Sequence, residues 1–415
     1  MSRPAPRALR HAPAARLVAA LAVAGLATTA CTASDAREGG PRSSGRSAGS
    51  SAGPSADASP QAGSGRLRLS SNVDGKQAVP VDKVVKVSAA SGDLESVQLR
   101  TGDTSVAGAM GDDGTWTASA LLEPDTQYQV VMTGTDASGD EQTDRSSFST
   151  VDLSLEQQTY PSFLPDEGST VGVGMPVIVR FDIPVERKAA IERHLVVDSE
   201  PAVTGTWHWV SDTEVHYRPR TYWEPGSQVS VDADINGVDA GNGIYGQESR
   251  SSSFTIGDSV ISRINLKTYE LEVDINGTLA RTIPISGGAP GYESRSGTKV
   301  IIEKFQEKRM DAATTGVSPD DPDYYNIPDV QYAMRVTYTG EFLHAAPWSV
   351  GSQGSANVSH GCIGMSTKNA HWLYKRSSIG DVVVTTGSDR SIEPGNGYTD
   401  WDVSFAEYEQ GSALS

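Results

Sequence analysis

From Arg66 onward the chain is written in short alternating runs cut by turn dipeptides. That period of two constrains the fold more than any other feature. Arg66–Ser70, Val84–Val87, Thr115–Ala118 and Gln127–Val131 alternate, and Asp74-Gly75, Asp113-Gly114 and Ser138-Gly139 separate them. Successive side chains of a strand point to opposite faces, so each run offers one face to a core and the other to water. Strands this short and this regularly punctuated predict a sandwich of immunoglobulin type over 66–151. Residues 152–257 repeat the theme. Gly114-Thr115-Trp116 is echoed by Gly205-Thr206-Trp207, Gln127–Val130 after Pro124 by Gln228–Val231 after Pro225, and Ser146-Ser147-Phe148 by Ser252-Ser253-Phe254. The Trp-to-Phe interval lengthens from 32 to 47 residues, which predicts a second, longer sandwich with a short helix inserted over Arg187–His194.

The grammar changes over 258–388, which reads as a mostly β domain with one notable helix. Asn276-Gly277 is a preferred hairpin turn between two alternating runs. Lys299–Lys304 predicts a further strand, and Met310–Asp329 a long irregular lid. Tyr332–Leu343 predicts a strand delivering His344 at its end. Ser366 caps a predicted helix over Thr367–Ser378, and Asp381–Thr386 is a closing strand. The tail, 389–415, carries Trp401, Phe405 and Tyr408 at the spacing of a short amphipathic helix packed on the folded domains. The fold class is therefore mainly β.

The first 31 residues have the layout of an export signal: arginines without acids, an apolar run Leu17–Ala27, then Thr28-Thr29-Ala30-Cys31. The run is short for a membrane span. Its end resembles a bacterial lipobox, with Thr28 where Leu is usual, and this implies an acylated Cys31 anchoring the chain to the outer face of the cytoplasmic membrane. Cleavage near Ala30, releasing a secreted protein, is the alternative. Residues 32–65, rich in Ser, Gly and Pro, cannot bury a core and read as a flexible tether.

Net charge is −18, and the arginines of the leader leave the remainder more acidic still. Nucleic acid, which needs clustered Lys and Arg, is excluded as a partner. Neither metal nor cofactor is expected. His194, His208 and His216 lie in the second module, the latter two in strand-like runs, with nothing to show that they converge on a metal, and Asp232–Gly237 lacks the twelfth-position Glu of a calcium loop, because Gly243 stands there. Ser296-Gly297-Thr298-Lys299 fits the S-x-x-K serine motif, but its Lys opens a β-branched run where the motif needs a helix.

Cys362 is the one thiol of the chain besides Cys31. It sits in Ser359-His360-Gly361-Cys362, eighteen residues after His344. A lone Cys with a nearby His is a candidate activated nucleophile. His344-Ala345-Ala346-Pro347-Trp348-Ser349 followed by Ser359-His360-Gly361-Cys362-Ile363 resembles the signature of the L,D-transpeptidases (YkuD-type domain), over roughly 257–388. The tandem sandwiches and aromatic tail resemble actinobacterial members. The resemblance implies a peptidoglycan stem tetrapeptide as acyl donor, Cys362 as nucleophile, 3-3 cross-links as product and carbapenem-type β-lactams as inhibitors. It also matches Met310, Tyr325, Thr339, Gly340 and Trp348 to positions shaping the donor cleft, with Ser359 and Gly364 beside them. For Met310 and Trp348 a plain core role is the competing reading. Gly364 stands where many members carry Asn or Arg, and Ala345 where some carry Ser.

His344 is the better candidate to move protons, since a main-chain carbonyl such as that of Ala345 could fix its tautomer. His360 is read as orienting the loop, or as a buried histidine satisfied by backbone. The N–H groups around His360, Gly361 and Cys362 are the expected oxyanion hole. A monomer is expected. The competing functions are hydrolysis or D-amino-acid exchange on the same thioester, and a catalytically silent wall-binding lipoprotein.

Overall fold

The computed structural model describes residues 66–415; the leader, Cys31 and the segment to Gly65 lie outside the described residues. Strand dominates. No helix among the described residues is long and apolar enough to cross a membrane.

The alternating runs do pair into sandwiches. In the first, Arg68–Ser71, Lys86–Ala90, Trp116–Ala118 and Gly108–Met110 form one sheet, and Thr104–Val106, Gly92–Thr101, Gln127–Asp136 and Glu141–Ser149 the other. Leu99, Trp116, Tyr128 and Phe148 fill the space between them, with Tyr128 and Phe148 stacked at 5.2 Å. The second sandwich sets Pro161–Leu164, Val177–Phe181, Glu214–Pro219 and Gly205–Trp209 against Thr170–Val171, Arg250–Ile256, Gln228–Ala233 and Leu195–Glu200. The echoed residues Trp207 and Phe254 are buried there, as Trp116 and Phe148 are in the first. The inserted helix is Lys188–Glu192. Asp232 is paired within the Gln228–Ala233 strand, and Ile235–Val238 closes a turn beyond it.

Two further sheets pack with the helix Thr367–Tyr374 around a core that includes Leu271, Val273, Met334, Leu343, Leu373 and Val383. The five-stranded sheet runs Thr278–Pro284, Glu270–Ile275, Val260–Asn265, Val382–Thr386, Gly297–Val300. The four-stranded sheet runs Glu303–Asp311, Asn326–Arg335, Phe342–Ala345, Ile363–Met365. Asn276 and Gly277 take positive φ, as the tight hairpin turn requires.

Several expectations need correction. The run Lys299–Lys304 is two strands in two sheets. The Ile301 N–H donates to Asp381 O and the Ile302 N–H to Arg335 O, so the chain changes sheets with both side chains buried. Met310 and Asp311 belong to a strand, and the irregular stretch is shorter, 312–325. Tyr332–Leu343 is not one strand: a turn at Thr337–Gly340, with Gly340 at φ 99°, breaks the alternation, and His344 lies inside Phe342–Ala345. The helix after Ser366 ends at Tyr374. Val382–Thr386 is interior, parallel to Val260–Asn265 and antiparallel to Gly297–Val300.

The tail helix is Phe405–Glu409, capped by Ser404 and Glu407, and Trp401 lies before it. Trp401 Nε1 donates to Gly174 O at 2.7 Å, and Tyr408 is buried beside His208. Buried Glu192 accepts from Trp209 Nε1 and Ala413 N, each at 2.8 Å, and from the Ser412 hydroxyl.

Candidate active site

Two strands and one tight loop build the site. Phe342–Ala345 and Ile363–Met365 run parallel, with His344 opposite Gly364. Cys362 is the residue before the second strand. The loop ahead of it needs Gly361 at φ 117°, a region that side chains avoid. Ser359 closes this loop: its Oγ donates to Cys362 O at 2.6 Å and accepts from the Gly361 N–H at 3.1 Å. From a distant part of the chain, Ser294 Oγ donates to Gly361 O at 2.7 Å and accepts from the Gly288 N–H at 2.9 Å. Nothing in the local sequence marks Ser294, because its partners arrive only through the fold.

The Cys362 thiol is nearly buried and donates to Gly340 O at 3.6 Å. Burial pushes it up to about 12, against a hydrogen bond from the Phe342 backbone that pulls it down. Burial likewise lowers His344, opposed by its bond to Ala345. His344 Nδ1 and Ala345 O lie 2.8 Å apart. A carbonyl only accepts, so Nδ1 carries a proton and Nε2 is the nitrogen left to take one. The resting pair is thus a neutral thiol and a neutral imidazole.

Both groups line a cavity of about 280 Å³ with Met310, Tyr325, Trp348, Ser359, His360 and Gly364. Met310 and Tyr325 also line a neighbouring cavity of about 580 Å³, and it is there that Thr339 and Gly340 lie. Burial raises the Tyr325 hydroxyl to about 12, with Cys362 adding to the shift, so it stays a neutral donor. Met310 packs with Val330, Ala333, Phe342 and Cys362, which makes it both core and cavity wall. Trp348 is 56% exposed, so the core reading fails for it. His360 is not buried either: it is exposed, its ring 4.7 Å from that of Tyr292 and 5.0 Å from that of Tyr325. The Gly361 N–H is already taken by Ser359, which removes it from the expected oxyanion donors. The His360 and Cys362 N–H groups have no acceptor among the described residues. At Gly364 a Cβ would lie 2.9 Å from that of Ala346, so this backbone has room for glycine alone. Among the described residues no group of three or more His, Cys, Asp or Glu is placed to hold a metal ion.

A thiol and an imidazole with one free nitrogen thus share a cleft of a β domain behind immunoglobulin-like modules. Two family models match: a bacterial Ig domain over residues 76–239 and an L,D-transpeptidase catalytic domain over 259–385. The chain is 34% identical to L,D-transpeptidase 2 of Mycobacterium tuberculosis (strain CDC 1551 / Oshkosh), over 83% of this chain and 84% of that one. It is 36% identical to L,D-transpeptidase 5 of M. tuberculosis (strain ATCC 25618 / H37Rv), over 60% of this chain and 55% of that relative. A solved L,D-transpeptidase, LdtMt1 in complex with imipenem, superposes with a TM-score of 0.49 at 34% identity, covering 55% of this chain and 99% of that one. The chain belongs to the L,D-transpeptidase family.

Proposed function

We propose that the protein cross-links peptidoglycan stems through a thioester on Cys362. The observation carrying this reading is that Cys362 and His344 line one cleft, with the imidazole held by Ala345 so that Nε2 is free. A thiol near 12 is almost wholly protonated at pH 7, and attack by a pre-formed thiolate would add about 7 kcal/mol to the barrier. Proton transfer to His344 therefore accompanies attack. Sγ bonds to the carbonyl carbon between the donor's third residue and D-alanine while its proton passes to Nε2. The oxyanion takes the His360 and Cys362 N–H groups. The C–N bond then breaks, and His344 returns the proton to the departing D-alanine amine. The side-chain amine of a second stem attacks the thioester, His344 takes its proton, and the thiol leaves and is reprotonated. Ala345 acts through its carbonyl, and Ser359 and Gly361 hold the loop in shape. Met310, Tyr325 and Trp348 wall the donor cleft, while Thr339 and Gly340 belong to the neighbouring cavity.

The same thioester chemistry extends to β-lactams of the carbapenem type, which would acylate Cys362. Acylation of Cys31 would hold the enzyme at the outer face of the cytoplasmic membrane. Mass spectrometry of the mature N-terminus tests that anchor, and an unmodified terminus beyond Cys31 removes it. Incubating the purified chain with disaccharide-tetrapeptide tests the reaction. Dimer with released D-alanine is expected; tripeptide instead means hydrolysis, and no change means a silent binding protein. Dimer formation by Cys362→Ala would refute the mechanism.

A further inference from the structure

Three charged side chains lie buried behind the nucleophile, and the chemistry above uses none of them. Arg295, Lys299 and Glu341 are 7%, 2% and 6% exposed. Glu341 Oε1 accepts from the Arg295 amide at 2.9 Å and from its guanidinium at 3.1 Å, and Oε2 accepts from Lys299 Nζ at 3.2 Å. Lys299 Nζ also donates to Arg295 O at 2.6 Å, and Arg295 Nε reaches Glu393 at 2.5 Å. Two cations thus face two carboxylates. Such a cluster seldom adds stability over apolar packing of equal volume, so stability alone does not account for it.

What the cluster holds is both walls of the thiol. Glu341 closes the Thr337–Gly340 turn, its N–H donating to the Thr337 hydroxyl at 2.8 Å. The outer arm of that turn is tied down by Asn396. Its Oδ1 accepts from the Thr339 N–H at 3.0 Å, and its Nδ2 donates to Thr339 Oγ1 and to Glu393 Oε2, each at 2.9 Å. The carbonyl this turn presents, Gly340 O, is the acceptor of Cys362 Sγ. On the opposite wall, Ser294 holds Gly361 O and is the residue next to Arg295. A Cβ on Gly361 would lie 3.8 Å from Glu341 Oε1, which places the carboxylate under the nucleophile loop.

We propose that Arg295, Lys299 and Glu341 are positioning residues that act as one unit, fixing the Gly340 carbonyl and the Gly361 loop around Cys362 Sγ and setting the field at the sulfur. The proposal rests on the reading of Cys362 as the nucleophile. The titratable groups around the sulfur are Glu341, Tyr325, His344 and His360, with Arg295 and Lys299 behind Glu341. A carboxylate near the thiol opposes ionisation and a cation favours it, so the two kinds of substitution have opposite signs.

The test is the pH profile of Cys362 alkylation by iodoacetamide in the full folded chain, followed by mass. Glu341→Gln leaves the cations unbalanced and is expected to lower the midpoint by about one unit, raising the alkylation rate at a fixed mildly alkaline pH roughly tenfold. Burial lowers Lys299, so its charge acts only below the range where the thiol itself titrates; Lys299→Met is expected to slow alkylation several-fold at that same mildly alkaline pH, and Lys299→Arg to restore the wild-type rate. In turnover of disaccharide-tetrapeptide both charge-removing variants lose about tenfold in kcat with KM nearly unchanged, the pattern of a mispositioned nucleophile. Alkylation needs no stem peptide, so failure of this proposal and failure of the transferase reading are distinguishable. Alkylation rates at that pH equal to wild type in both variants, with activity lost only in step with thermal stability, would overturn it. Should a single charge variant not fold, Asn396→Ala cuts the same network without leaving a charge unpaired in the interior. A fall of about tenfold in kcat supports the proposal and an unchanged kcat overturns it.

Discussion

The tail is locked to the second sandwich by a histidine that must be charged, and that makes stability depend on pH in a calculable way. His216 is buried, with Nδ1 2.8 Å from Asp400 Oδ1 and Nε2 2.8 Å from Glu214 Oε1. Carboxylate oxygens only accept, so both ring nitrogens donate and the ring is an imidazolium. Burial alone would push it down; Asp400 and Glu214 outweigh burial and raise it from 6.5 to about 9. Both carboxylates are held below their usual range against their own burial, by His216 in each case, so they stay ionised throughout this window. The folded chain therefore binds this proton more tightly than the unfolded chain. The stabilisation is whole below about pH 6.5 and is lost as pH rises through about 9; at about 1.4 kcal/mol per unit it amounts to about 3 kcal/mol. Asp381, raised by burial to about 8, also destabilises the fold as pH rises, so one curve is not enough. Urea unfolding of wild type and of the double variant His216→Gln with Asp400→Asn across about pH 6 to 10 cancels that contribution, which both proteins share; the double variant leaves no buried carboxylate at position 400, and Glu214 keeps Arg180 as its partner. The stability difference should shrink by about 3 kcal/mol over that range. A difference that stays constant or widens refutes the charged bridge.

Because His344 is lowered below 6.5 and Cys362 raised to about 12, kcat/KM for donor acylation should be level above about pH 7 and fall only on the acid side. Alkylation of Cys362 should instead keep climbing towards about pH 11, since it reports thiolate alone. Gly364→Asn should lower stability by about 1–3 kcal/mol through the Ala346 contact, measured by urea unfolding, and Gly364→Asn with Ala346→Gly should recover most of it. Glu192→Ala strips the acceptor from Trp209, Ser412 and Ala413; a loss of about 3 kcal/mol and rapid hydrogen exchange at the Ala413 amide are expected.

Much of this was legible in the sequence because the signals are local. Alternation states which residues face a core, and Asn276-Gly277 states a turn, without reference to anything distant. The tandem echo named Trp116, Trp207, Phe148 and Phe254, and all four are buried. Local signals failed where two elements compete for one run. Ile301 and Ile302 read as mid-strand residues because both are apolar, yet they serve two sheets. Thr337–Gly340 reads as strand until the Thr337 hydroxyl is seen accepting from Glu341, a bond that makes the turn.

The sequence by itself determined a mainly β chain, a single thiol in its body and a histidine eighteen residues before it, since composition, period and motif are properties of neighbours along the chain. Tertiary structure decided the protonation state of that thiol, because burial among Met310, Val330, Ala333 and Phe342 sets it. It also decided which backbone donors remain free at the site, why position 364 is glycine, and that Asp400 meets His216 across 184 residues. Desolvation and paired charge depend on what surrounds a group in space, and sequence distance carries no record of that.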